Sequence, residues 1–218
     1  MTDKGRFLDI ESWHRRGSFR FFKDFEMPFF GVCSEIRVTK ARAWCKKEGV
    51  SFSLACWFAC QQAVNAVEEF RLRLRGDQVW VHDWIRISTT IANPDGSFRI
   101  CHFPFASGFE SFQDGAQQAI DRASPEELDA RPEDDGTIHG SSLPWIRFTG
   151  LTHARPLGLT DSVPKITFGK ATADGDEVLM PVSVEVHHAL VDGLHVSQFL
   201  EILEGSLGQP ETVFRAMP

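Results

Sequence analysis

No tyrosine occurs anywhere in this chain, although it carries 19 phenylalanines and 6 tryptophans. Phenolic acid–base chemistry is thereby excluded. Cysteine is scarce: Cys33, Cys45, Cys56, Cys60 and Cys101 are odd in number and have no C-x-x-C spacing. Cys56 and Cys60 fall one helical turn apart in an apolar stretch, and the set reads as buried free thiols in a reducing cytoplasm. The N-terminus, MTDKGRFLDIESW, lacks the apolar segment of a signal peptide, and no run is long and apolar enough to span a bilayer. No membrane association is expected. Positive charge is in deficit, with 23 Lys+Arg against 30 Asp+Glu and a net charge of −7. There is no dense basic run, so no nucleic-acid partner is expected. Arg71, Arg73 and Arg75 alternate with leucines and read as a solvated edge.

What is present is the composition of a globular protein, 42% hydrophobic and 24% charged over 218 residues. That length suits a single domain, 1–218, with a sizeable core. Residues 33–39 read as a strand, 40–48 as a short helix ending at Gly49, and 51–70 as a long, mostly buried helix. Strand character follows at 78–82, 84–91 and 98–103, with the turn NPDG at 93–96. A helix is expected at 111–123 and a charged loop at 125–136. Strands are expected at 137–151, 163–171 and 177–188, the last entered through the hairpin turn ADGD at 173–176. After Gly193, apolar Val196, Phe199, Leu200 and Leu203 mark a helix with one buried face. The chain is mixed α/β.

One stretch carries chemistry. VEVHHALVDG, 184–193, is an alternating strand that ends in two histidines, followed by Asp192 and Gly193. Val182, Val184 and Val186 share one face, while Ser183, Glu185 and His187 share the other. Continued pleating puts His188 on the valine face, where partial desolvation favours the neutral imidazole that a general base needs. Asp192 stands at the N-cap of the last helix. Three readings fit these residues: histidines that satisfy backbone groups beside a capping Asp; a metal site built from His187 or His188 with Asp192 and His195; or general-base catalysis. Adjacent strand histidines point to opposite faces, which disfavours chelation.

His188-Ala189-Leu190-Val191-Asp192-Gly193 fits H-x-x-x-D-G, and its doubled histidine resembles the chloramphenicol acetyltransferase family of coenzyme A–dependent acyltransferases. Three further segments, in order, carry the same resemblance: Trp13-His14-Arg15-Arg16 followed by Phe19-Arg20-Phe21-Phe22; Ser141-Ser142-Leu143-Pro144-Trp145; and Ile166-Thr167-Phe168-Gly169-Lys170 leading into GDEVLMPVSVEVHH. The resemblance implies a two-layer α/β sandwich with a large mixed sheet and packed helices. It also implies a homotrimer with active sites between subunits, acetyl-coenzyme A as co-substrate, a small-molecule acceptor and no metal. By position it assigns His188 as general base and Ser141 as oxyanion donor. Thr167 would help hold the intermediate, and Asp192 would be paired with Arg15. Lys170 is the candidate for the coenzyme's phosphate end. The acceptor pocket would involve Phe22, Phe98, Leu151, His153 and Arg155. His153 and Arg155 stand where the family has apolar residues, so a more polar acceptor than chloramphenicol is an alternative, and a non-catalytic trimeric binding module is a second. The catalytic core of dihydrolipoyl acyltransferases shares H-x-x-x-D-G but lacks the doubled histidine.

Overall fold

The fold is that of a computed structural model, which describes residues 4–124, 128, 130, 131, 134–155 and 161–215. In chain order its elements are β1 (Gly5–Phe7), α1 (Arg16–Phe22), β2 (Phe29–Arg37), α2 (Thr39–Glu48), α3 (Phe52–Ala66), β3 (Leu72–Arg75) and β4 (Gln78–His82). There follow β5 (Arg86–Ala92), β6 (Phe98–Phe103), α4 (Phe109–Arg122), β7 (Thr137–Ser142), β8 (Lys165–Phe168), β9 (Thr172–Asp174), β10 (Glu177–His187), α5 (Gly193–Gly208) and α6 (Pro210–Val213). The large sheet has the order β2-β10-β8-β7-β5-β6, with β9 paired to the start of β10. It is mixed, because β7 runs parallel to both β5 and β8 while the other pairings are antiparallel. A small sheet, β1-β4-β3, stands apart from it.

Alternation decides which face of the large sheet meets the helices. Val182, Val184, Val186, Ile166 and Ile138 are fully buried on one face. There α3 presses so closely that a β-carbon on Gly140 would overlap the Trp57 indole, and Trp57 also packs on Phe168 at 4.7 Å. A side chain at position 140 is therefore excluded by the helix rather than by backbone conformation. The other face bears His139, Ser141, Lys165, Thr167, Ser183, Glu185 and His187. Among the described residues no helix is long and apolar enough to cross a membrane.

The sandwich expected from the sequence is the one observed, with local corrections. β2 begins at Phe29, four residues ahead of the expected start. The helix expected over 51–70 ends at Ala66, because Val67 is extended and a separate 3-10 turn, Glu68–Arg71, follows. The strand expected over 137–151 stops at Ser142: Pro144 has no N–H to continue a ladder, and the chain turns there, Ile146 N–H donating to Leu143 O at 3.1 Å. The loop expected at 125–136 lies partly outside the described residues. The ADGD turn is present, with Gly175 at φ 60°, and leads into β10.

The arginine row is not a solvated edge. Arg73 is fully buried. Its guanidinium donates to the carbonyls of Asp135 (2.7 Å), Phe70 (2.9 Å), Leu72 (2.6 Å) and Thr137 (2.7 Å). Burial pulls it down to about 10, against the charges of Asp135 and Asp161, and it ties the small sheet to the first residue of β7. Arg75 pairs with the Asp135 carboxylate at 3.0 Å. Alternation marks which residues share a face but not which face is covered, and this one is roofed by the chain around residue 135.

Candidate active site

The last ladder pair of β10 is His187 with Phe29. Beyond it the backbone leaves the sheet, and His188 N–H donates to Pro28 O at 2.7 Å. The His188 ring lies flat on Phe22, centroids 4.0 Å apart and planes 12° from parallel. It also meets Phe30 at 4.6 Å, and Phe30 is the cross-strand partner of Val186. His188 is therefore on the valine face, as pleating requires, with 34% of its side chain open to solvent. Phe21 and Phe25 extend this wall, their rings within 5.2 Å of Phe22.

The turn that presents His188 is built around one guanidinium. Arg15, only 4% exposed, donates to both oxygens of Asp192, Nε to Oδ2 at 2.8 Å and NH2 to Oδ1 at 2.6 Å. Its remaining N–H groups reach the carbonyls of Ala189 at 3.2 Å and His188 at 3.3 Å. A bidentate, charge-assisted pair of this kind fixes orientation as well as position. Asp192 Oδ1 also lies 3.4 Å from His188 Nδ1. Burial raises the Asp192 carboxyl, but the hydrogen bonds and charge of Arg15 prevail and hold it below its ordinary value. Asp192 N–H donates to Nδ1 of His195 at 2.9 Å, which seats the first turn of α5.

His187 has the opposite surroundings. It is 3% exposed on the polar face, and its Nδ1 accepts the N–H of Ala189 at 3.2 Å. Burial, aided by the charge of Arg155, pushes it down to about 4. The desolvation anticipated for His188 thus falls most heavily on its neighbour, which holds the turn as a neutral acceptor.

A second group gathers mid-sheet on the polar face. Ser141 pairs with Thr167, and Thr167 with Ser183. Ser141 Oγ lies 3.5 Å from Thr90 Oγ1, so four hydroxyls cross four adjacent strands in a row. The loop after Pro144 covers them. Its His153 Nε2 is 2.9 Å from Thr167 Oγ1. Arg155 donates to Glu185 at 2.6 Å and to Asp161 at 2.5 Å, with its guanidinium 3.6 Å above the Phe29 ring. Its charge is therefore balanced by two carboxylates. Leu151 is half-buried in the same loop.

Within one chain the two groups are not neighbours. His188 and Ser141 are two strands apart across the sheet and five residues out of register along it. At ordinary strand spacings that is on the order of 15–20 Å, and the two side chains lie on opposite faces. Lys170 is exposed beyond the end of β8, and Phe98 is half-exposed on the far edge strand, away from both groups. Sequence reasoning missed Phe30, because the strand was started too late, and missed Thr90 and Glu185 as members of the polar cluster. The i, i+2 relation of Glu185 to His187 was the available signal.

The family model described as chloramphenicol acetyltransferase matches residues 5–204. A chloramphenicol acetyltransferase of Streptomyces acrimycini is 30% identical over 212 residues, covering 93% of this chain and 94% of the relative. Chloramphenicol acetyltransferase 3 of Escherichia coli is 28% identical over 203 residues, covering 90% and 94%. A solved chloramphenicol acetyltransferase superposes with a TM-score of 0.87 at 30% identity, over 94% of this chain and all of that one. A dihydrolipoamide acetyltransferase of Azotobacter vinelandii shares the fold at a TM-score of 0.64 and 17% identity, over 98% and 93% of the two chains.

Proposed function

The chain belongs to the chloramphenicol acetyltransferase family, and from that premise we propose that it transfers an acetyl group from acetyl-coenzyme A to a hydroxyl of a small acceptor, chloramphenicol first among them. His188 is the general base. A hydroxyl attacks a thioester carbonyl only as its proton leaves; the imidazole takes that proton and returns it to the departing thiolate. Ser141 donates to the oxyanion that forms in between, and Thr167 helps hold the same intermediate. No covalent enzyme intermediate is needed. Lys170 is assigned to the phosphate end of the coenzyme. Phe22, Phe98, Leu151, His153 and Arg155 are assigned to the acceptor side.

The observation that carries this reading is the Arg15 guanidinium, which clamps Asp192 and the carbonyls of His188 and Ala189 and so presents one imidazole on an aromatic wall. A histidine that only satisfied the backbone would be placed as His187 is. The separation of His188 from Ser141 within one chain supports a homotrimer in which each reacting centre takes its base from one subunit and its oxyanion donor from the next. A cytoplasmic location goes with this reading. The polar residues over β8 favour a second acceptor class, a hydroxyl or amine compound more polar than chloramphenicol. The carboxylates that neutralise Arg155 leave no unpaired charge to select an anion. The test is thiol release from acetyl-coenzyme A across an acceptor panel that includes chloramphenicol, with the His188→Ala protein in parallel. Turnover abolished by that substitution is expected; equal turnover in both proteins would refute the assignment.

A further inference from the structure

Thr167 is fully buried on β8, so the direction of its hydroxyl is set by whatever faces it, and what faces it is the ring of His153. Nε2 of that ring lies 2.9 Å from Thr167 Oγ1. The other ring nitrogen, Nδ1, is buried and makes no hydrogen bond among the described residues; the acceptor beside it is Oε2 of Glu185, at 3.5 Å. The same Oε2 accepts the backbone N–H of His153 at 3.3 Å, and Arg155 holds the opposite oxygen, Oε1, at 2.6 Å. Carboxylate, imidazole and hydroxyl thus stand in line, an arrangement that the acceptor-side assignment of His153 does not use.

An ionised carboxylate only accepts hydrogen bonds, and a neutral imidazole has one N–H and one lone pair. With the lone pair on Nδ1, two negative ends would meet in a buried site. With the proton on Nδ1 the contact is attractive, and Nε2 is left as an acceptor. Among the described residues the donor at its side is the Thr167 hydroxyl, at 2.9 Å. We propose that His153 is a positioning residue: Glu185 holds its proton on Nδ1, Nε2 engages the Thr167 proton, and the lone pairs of that hydroxyl are turned toward the reacting centre. Thr167 then meets a substrate hydroxyl, or a bridging water, as an acceptor only, while Ser141 remains the donor. Burial, opposed by Glu185 and aided by Lys165 and Arg155, holds His153 below the ordinary histidine range, which keeps the ring in the neutral form this arrangement needs. Glu185 stays ionised because Arg155 outweighs its burial.

This rests on the reading that places Thr167 at the reacting centre, and the experiment separates the two. Thiol-release kinetics are measured for His153→Leu, Thr167→Val, the double variant and Thr167→Ser, with thermal melting to verify folding. Ring 15N shifts are recorded on protein labelled at histidine. Loss of a hydrogen bond that only orients a group predicts a fall in kcat of roughly 3- to 10-fold for His153→Leu, with the KM for acetyl-coenzyme A unchanged. The double variant should be no slower than Thr167→Val alone, and Thr167→Ser, which retains the hydroxyl, should lose less than Thr167→Val. The spectra should show His153 protonated on Nδ1 and bare on Nε2. Additive losses, or a proton on Nε2, would overturn the proposal. A His188→Ala protein as active as the parent would instead sink the acyl-transfer reading, and the tautomer would still decide whether Glu185 and His153 are arranged as stated.

Discussion

Two adjacent imidazoles in this chain differ in nearly every physical respect, and substitution should separate them. His188→Ala is expected to lower turnover ~10²–10⁴-fold, the range for a lost general base. His187→Ala removes the acceptor for the Ala189 N–H and should act mainly on stability. Equal, modest losses of turnover for both would contradict the assignment. Ser141→Ala should cost roughly 10²–10³ in kcat with little change in acyl-donor affinity; a raised Michaelis constant at constant kcat would argue against an oxyanion role. Arg15→Val and Asp192→Asn each strand one partner of a charge pair. Breaking a fully buried pair costs ~3–5 kcal/mol, but Asp192 keeps 36% of its side chain in water, so about 2–3 kcal/mol is expected, with activity falling in step. Denaturant midpoints and thiol release, measured on the same preparations, provide the check.

Among the elements, β10 was the most legible in the sequence; of the small sheet, β4 was read at 78–82 as it stands, while β1 and β3 were not read. Unbroken alternation from Val182 to Val186 specified both the strand and the face on which His188 falls, because period 2 leaves no other arrangement once one face is covered. The N-cap at Asp192 and the apolar spacing after Gly193 located α5 in the same way. Length was harder to read. SSLPWIRF has strand-forming residues on both sides of Pro144, and only the missing N–H ends the strand at Ser142. The candidate site was legible where one motif carries it, His188 with Asp192. It was not legible where distant segments converge, as His153, Thr167 and Glu185 do, since no local period links a loop residue to two strands. Arg73 is the clearest case, for its four carbonyl partners come from two separate stretches, residues 70–72 and 135–137. Arg73→Met should leave those carbonyls without donors and cost about 3 kcal/mol or more, measured by chemical denaturation. Arg71→Met at the margin of the same sheet should cost less. A stable Arg73→Met protein would mean that the small sheet is held in some other way.

The whole molecule should lose stability in mild acid, for a reason that can be assigned. Burial pushes His139 and His187 down to about 4 from an ordinary 6.5. Between those values the unfolded chain binds more protons than the folded one, so stability is full above about pH 6.5 and declines as pH falls toward 4. Asp192, held below its ordinary value, contributes stability that persists above the carboxylate range and is lost only at lower pH. Thermal melting at fixed ionic strength should show the decline beginning below pH 6.5, with His187→Asn flattening it. A slope unaltered by that substitution would remove His187 as a cause. In native mass spectrometry the particle should have three times the 24.6 kDa chain mass; a monomer would leave His188 and Ser141 with no way to meet.

That opposite-face placement has a genetic consequence. If each reacting centre draws its base from one chain and its oxyanion donor from the next, two null alleles, His188→Ala and Ser141→Ala, complement each other. Expressed together in equal amounts and mixed at random, they give about one interface in four with both groups intact. Coexpression should therefore restore about a quarter of wild-type activity, whereas a single gene carrying both lesions restores none with either partner at that interface. By the same count each single allele should only dilute a wild-type copy, because an altered chain spoils the one centre that needs its missing group, whereas a chain carrying both lesions spoils two of the three centres in its particle and should depress wild type to about a quarter.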